Sequence, residues 1–272
     1  MKGFYVYCVR MRADMGQISA KDGSASGRKA RGIEFGSEAR PISFKDIEAV
    51  VSEVDLSKFN AKTIKEKLQE DAKWTEKNVK RHHEVIAEAN KTSVVIPMKF
   101  GMLYKTKKNL ETMLAKYYGK FKKLLTRLAG KQEWGVKIYL EYEKFLEFFK
   151  KENKEVKKME ESKSAMPEGA QWYADKKIDE LIAKESEGEI EKRLQRIVER
   201  LEDCCEQTAL CDLLPKEATA GMKKDNIFNA ACLIDSGKLD CFKKMLQEAR
   251  KECDQIGAAL VVTGPWPPYN FV

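Results

Sequence analysis

Trp134-Gly135-Val136-Lys137-Ile138-Tyr139-Leu140-Glu141 alternates apolar and polar side chains as a half-buried β-strand does. Gly130-Lys131-Gln132-Glu133 before it reads as a turn, and helical sequence through Phe145, Phe148 and Phe149 follows, so this strand opens a second domain in mid-chain. Downstream, a lysine- and glutamate-rich run breaks near Met166-Pro167-Glu168-Gly169. A long helix is expected from about Glu189 to Cys211, with Ile190, Leu194, Ile197, Leu201, Cys204, Thr208 and Cys211 on one stripe. After Pro215, Glu217 to Met222 and Asn226 to Ile234 are candidate strands around the polar turn Lys223-Lys224-Asp225. Leu239, Phe242, Leu246, Ala249, Cys253 and Ile256 mark a further helix, and Ala258 to Thr263 a last strand. The order βαββαβ is the ferredoxin-like pattern, with a first helical region about three times the usual helix length.

Upstream, Phe4 to Arg10 is β-branched and aromatic, as a strand is, and Arg12 to Arg31 is polar and rich in Gly and Ser, as a flexible loop is. Ile33-Glu34-Phe35 and Ile42-Ser43-Phe44 are short apolar runs, and Ile47 to Val54 is a fuller strand in the same sheet. Ile64, Leu68, Ala72, Thr75, Val79, His82, Ile86 and Ala89 recur at spacings of three and four, so one long amphipathic helix is expected over Thr63 to Asn90. Ser93 to Gly101 returns to strand composition. There Pro97 confines the strand to an edge, a start or a bulge, because it has no N–H for a ladder bond. Leu110, Leu114, Tyr117, Phe121, Leu124 and Leu128 place a second helix over about Lys107 to Ala129.

The expected fold is α+β in two domains. Residues 1–130 form a mixed sheet with two long helices, residues 131–263 a ferredoxin-like domain with an extended helical insertion, and residues 264–272 an extended tail packing on the domains. A chain of 272 residues exceeds what one core usually serves, and 43% hydrophobic with 35% charged residues suit buried cores under a solvated exterior. The opening residues Met1 to Arg10 lack the apolar region and cleavage site of a signal peptide, and no run of about 18 apolar residues occurs, so the cytoplasm is the expected compartment. Seven unevenly placed cysteines, six of them from Cys204 onward, fit reduced core thiols rather than a disulfide framework.

Catalytic constellations are hard to find. His83-Glu84-Val85-Ile86-Ala87 begins like a zinc-protease motif but has Ala87 where the second histidine belongs. The two histidines, His82 and His83, are adjacent and point about 100° apart on a helix, so His82 reads as a satisfied, partly buried residue of the apolar stripe. Gly23-Ser24-Ala25-Ser26-Gly27 has Ala25 where a nucleophile elbow needs serine, and neither a Walker sequence nor a G-x-G-x-x-G turn follows a strand. Cys204, Cys205 and Cys211 lack zinc-site spacing and read as packing residues. No catalytic residue, cofactor or metal site is therefore expected.

The chain closes on Thr263-Gly264-Pro265-Trp266-Pro267-Pro268-Tyr269-Asn270-Phe271-Val272. Three prolines hold this strip extended, and Trp266, Tyr269 and Phe271 carry large apolar faces, two of them with a polar handle. A stiff strip loses less entropy on docking than an ordinary tail. Pro265, Trp266, Pro267, Pro268, Tyr269 and Phe271 are thus the candidate contact residues. They dock either on the chain's own domains, the plainer reading, or on a partner.

Gly264 to Phe271 closely resembles the terminal motif of the gas vesicle protein F/L family (GvpF/GvpL). Family-like segments run upstream in order: Tyr5-Val6-Tyr7, Ile47 to Val54, His82 to Ile86, Val95 to Gly101, and Glu133 to Lys137. Lys99 stands where arginine is common, Met102-Leu103 replace a Thr-Val-like pair, and Asn270 replaces a usual serine. The resemblance implies a non-enzymatic accessory or minor structural protein of gas vesicles, cytoplasmic and vesicle-associated. It would bind the apolar shell protein GvpA and other accessory proteins during nucleation and growth, with no membrane and no small-molecule substrate. The alternative reading is a ferredoxin-like nucleic-acid or regulatory binding module, motivated by the net charge of +8. Against nucleic acid, Phe228 to Ile234 offers no aromatic and basic stacking strand.

Overall fold

Tyr5, Val6, Tyr7, Cys8 and Val9 are all fully buried, so the first strand is covered on both faces. They lie in β1 (Lys2–Met11) of a computed structural model that describes residues 1–12, 31–215 and 224–272. The chain divides into two compact units: Met1–Gln132 with Trp266–Val272, and Glu133–Pro265. The loop expected over Arg12 to Arg31 lies largely outside the described residues, as do the Gly23 to Gly27 segment and the candidate strand Glu217 to Met222.

In the first unit the sheet order is β2 (Arg40–Phe44), β3 (Ile47–Asp55), β1, β4 (Val95–Pro97), with β5 (Leu103–Tyr104) also pairing β1. All these pairings are antiparallel, which corrects the expected mixed sheet. The helical crossover from β3 to β4 does join strands of like direction, but β1 lies between them. Val6 pairs with Val51 and Cys8 with Val50, leaving Tyr7 as the extra residue of a β-bulge. The bulge resets the alternation. Tyr5, Tyr7 and Cys8 enter one core with Ile64, Val85, Ile86 and Ala89, while Val6 and Val9 enter another with Leu110, Leu114, Phe121 and Leu125.

The helices covering these faces are α1 (Ala61–Glu70), α2 (Ala72–Asn90) and α3 (Lys107–Leu128). The single helix expected over Thr63 to Asn90 is two. Asp71 leaves helical geometry at φ −128° and ψ 83°, and its carboxylate accepts the Trp74 N–H, so it ends one helix and caps the next. Ile33-Glu34-Phe35 is not a strand, since Ile33 is buried and Phe35 wholly exposed. The strand expected over Ser93 to Gly101 contracts to β4, an end strand, with Pro97 opposite Cys8.

The second unit holds all but the first two residues of β6 (Lys131–Leu140) and the last of β9 (Ala258–Trp266), together with α4 (Tyr142–Glu152), α5 (Lys154–Ser164), α6 (Glu168–Cys204), β7 (Gln207–Leu210), β8 (Asp225–Asp235) and α7 (Leu239–Gln255), in sheet order β7-β8-β6-β9. Val136, Ile138 and Leu140 of β6 and Phe228, Ala230, Cys232 and Ile234 of β8 alternate into one core. Phe145, Phe149, Ile178, Ile182, Ile197, Leu201, Phe242 and Ala249 of the helices close over them. Gly257 ends α7 at φ +72°, where an added Cβ would lie 2.5 Å from Lys144 Cβ, so only glycine fits.

The helix expected to run from Glu189 through Cys211 starts at Glu168 and stops at Cys204. Cys205 turns to φ −93° and ψ 147°, giving its N–H to the Leu201 carbonyl. Thr208 and Cys211 therefore leave the helical stripe, and Thr208 pairs with Cys232 in a β-ladder. Among the described residues no helix is long and apolar enough to cross a membrane.

Candidate interaction surface

The first unit positions its surface through a buried polar chain. The Met98 carbonyl can only accept, so the Nε2 of His82, 3.0 Å away, carries the proton. Its Nδ1 then accepts from the Tyr5 hydroxyl at 3.0 Å, and that hydroxyl accepts the Gly101 N–H at 3.1 Å. Gly101, at φ +85°, can turn its N–H inward where a side chain would be strained. Burial pushes the His82 pKa down to about 4 against the help of the Met98 carbonyl, so the ring is neutral and its protons are fixed. On the bulge, the Tyr7 hydroxyl accepts the Ile33 N–H at 2.6 Å and meets the Ser52 hydroxyl at 2.7 Å. Burial pushes Tyr7 up to about 12.

This chain fixes the rotation of α2 and so presents His83 on its outer side. The Tyr269 hydroxyl and His83 Nδ1 share a hydrogen bond of 2.6 Å, with the rings edge to face at a centroid distance of 5.2 Å. Burial holds the His83 pKa below its ordinary value, which favours the neutral ring. Arg127, in the last turn of α3, donates from Nη2 to the Phe271 carbonyl. Phe271 is 4% exposed, Pro267 and Pro268 are buried, and Tyr269 packs against the Tyr5 core. Pro265 and Trp266 are exposed at the end of β9. Of the six residues singled out in the tail, four thus rest on the first unit and two face solvent.

The second unit offers a different surface. Directly opposed residues in an antiparallel ladder share a face, so Leu210, opposite Ala230, projects to the helix-covered side of the sheet. It is nevertheless 75% exposed. Beside it lies a groove of about 850 Å³ floored by Leu194, Val198, Leu210 and Phe228 and rimmed by Glu191, Lys192, Gln195 and Arg196. Because β7 is the end strand of its sheet, the groove runs beside a strand edge. An apolar groove next to a sheet edge suits an extended amphipathic segment, which can add main-chain bonds and bury alternate side chains. The sequence reading missed this surface by carrying the helix through Leu210. The signal available in Gln207-Thr208-Ala209-Leu210 was slight: only the β-branched Thr208 and the apolar Leu210, two apart, share a strand face.

Among the described residues no group of three or more His, Cys, Asp or Glu side chains is placed to hold a metal ion. Glu84 pairs with Arg81 at 2.8 Å on the surface of α2.

A family model described as gas vesicle synthesis protein GvpL/GvpF matches residues 3–272. Gas vesicle protein L of Streptomyces sp. is 24% identical over 240 residues, covering 87% of this chain and 84% of that relative. Gas vesicle protein F1 of Halobacterium salinarum is 24% identical over 245 residues, covering 89% and 84%. The crystal structure of the gas vesicle protein GvpF from Anabaena sp. matches with a TM-score of 0.70 at 17% identity, covering 100% of this chain and 98% of that one. That of GvpF from Microcystis aeruginosa matches with a TM-score of 0.64 at 16% identity, covering 99% and 98%. At such identities the two crystal structures speak for a shared fold, and the family match speaks for descent. The chain belongs to the GvpL/GvpF family of gas vesicle synthesis proteins.

Proposed function

We propose that this chain is a non-enzymatic accessory protein of gas vesicle assembly that binds the apolar shell protein GvpA and other accessory proteins during nucleation and growth. The observation that carries this reading is the family match over residues 3–272. A shell subunit with a water-repelling face aggregates unless that face or its strand edges are covered before assembly. The groove beside β7 supplies the complementary features, apolar side chains at Leu194, Val198 and Leu210 next to a strand edge. In this reading the second unit is ferredoxin-like, with β6, β7, β8 and β9 as its four strands and α4 to α6 as the extended helical region. The tail residues Pro267, Pro268, Tyr269 and Phe271 shape the first unit, leaving Pro265 and Trp266 accessible to a partner.

Co-expression with GvpA tests the proposal. GvpA should co-purify with the full chain and remain soluble, and raised salt should change this little, because an apolar contact is not screened. Leu210→Lys should weaken co-purification about tenfold, the effect of removing one buried Leu contact and placing a charge in its stead. Failure to bind GvpA or any other gas vesicle protein would sink the proposal. Binding to nucleic acid that collapses with salt would favour the regulatory module instead.

A further inference from the structure

Two of the cysteines read from the sequence as plain core residues stand in an unusual relation. Cys204 ends α6 and is buried, whereas Cys241 lies in the first turn of α7 and is exposed. Their sulfurs are 2.7 Å apart. A disulfide needs about 2.05 Å between sulfurs, so a small movement of both side chains closes it. Cys205 and Cys232, which also contact each other, are both buried and out of reach of a dissolved oxidant.

The asymmetry between the two thiols assigns their roles. Cys241 meets solvent in the first turn of α7, within reach of a dissolved small disulfide. Burial and the neighbouring Cys241 push the Cys204 thiol up to about 12, which keeps it protonated until Cys241 has reacted. An exposed attacking thiol beside a shielded second thiol is the arrangement that exchanges with small disulfides.

We propose that Cys204 and Cys241 form a dithiol that small disulfides of the oxidised glutathione type close into a disulfide joining the end of α6 to the start of α7. The Cys241 thiolate attacks one sulfur of the small disulfide, forming a mixed disulfide and releasing one thiolate. Cys204 then gives its proton to solvent and attacks the Cys241 sulfur, breaking the mixed disulfide and releasing the second small thiolate. Two protein thiols are oxidised and one small disulfide is reduced to two thiols. The closed loop contains β7 and β8, so oxidation would tether the end strand and the groove beside it.

The test is treatment of the full chain with oxidised glutathione, followed by thiol counting, tryptic mapping without reductant and thermal melting. Two of the seven thiols should disappear. The peptide Leu239–Lys243 should be joined to the peptide beginning at Leu201, and the link should persist in Cys205→Ser, which distinguishes Cys204 from its neighbour. The melting temperature should rise by about 5 °C or more, as expected for closing a loop of this length. Cys241→Ser, an exposed change that leaves the core intact, should abolish the link and the rise. Cys204→Ser should instead trap glutathione on Cys241. Seven surviving thiols, glutathione stranded on Cys241 of the unaltered chain, or a link from the Leu201 peptide to the Asp225–Lys238 peptide would each overturn the proposal.

Discussion

His82 is 2% exposed, with one ring nitrogen donating to Met98 and the other accepting from Tyr5, so the ring has no place for a second proton. Above pH 6.5 the folded and unfolded chains both carry it neutral, and its contribution to stability is complete. As the pH falls from 6.5 towards 4, the unfolded chain takes up a proton that the folded chain refuses, so stability is lost over that window. The loss amounts to about 3 kcal/mol at most. Chemical denaturation at pH 7 and pH 5 should show it, and His82→Gln should reduce the difference. His83, also depressed by burial, adds a contribution of the same sign, so the difference shrinks without vanishing. A stability equal at the two pH values in the unaltered chain would refute the assignment. The sequence placed His82 on its apolar stripe and named the tail residues as contact candidates, of which Pro267, Pro268 and Phe271 are buried while Trp266 is exposed. It did not reveal His83 and Arg127 as partners of the tail, because they stand 186 and 144 residues from Tyr269 and Phe271 and nothing local marks them.

At the scale of elements, periodicity found the main helical regions but missed the break at Asp71 and misplaced both ends of α6. The apolar spacing from Ile64 to Ala89 passes through Asp71 without interruption, and Ile64, Ile86 and Ala89 do share the core under Tyr5, but Leu68 and Ala72 beside the break are exposed. What marks the break is chemistry. Asp71 is a capping residue that also takes Lys67 as an ion-pair partner at 2.9 Å. The pair is well exposed and adds little by itself. Asp71→Ala should lower stability by about 1 kcal/mol, the usual cost of a lost cap, visible as a lower urea midpoint at unchanged slope. An unaltered midpoint would show that the cap is dispensable. At Cys204 the error ran the other way. Thr208 and Cys211 fall on the helical period by coincidence of spacing, while Thr208 in fact faces its core from a strand. Short edge strands of four residues carry too few positions for alternation to compete with a 37-residue helix.

The whole chain is arranged so that the first unit takes its central strand from the first residues and its last buried segment from the final ones, with the second unit placed between Gln132 and Trp266. The first unit therefore draws on Trp266–Val272 as well as on Met1–Gln132. Deleting Pro267 to Val272 tests this dependence. Phe271 is nearly fully buried, and Tyr269 adds a hydrogen bond to His83 and ring contact with it. After subtracting the cost of ordering a proline-stiffened strip, the deletion should destabilise the first unit by roughly 2 kcal/mol. The melting temperature of that unit should fall by about 5–10 °C. Hydrogen exchange separates this from a general loosening. Amides of α2 around His83 and of the last turn of α3 around Arg127 should exchange faster, whereas those of β8 should be unchanged, since Cys232 and Ile234 lie in a core to which the deleted residues do not belong. Equal melting and unchanged exchange at His83 and Arg127 would mean that the tail adds nothing to the first unit and is held ready for a partner instead.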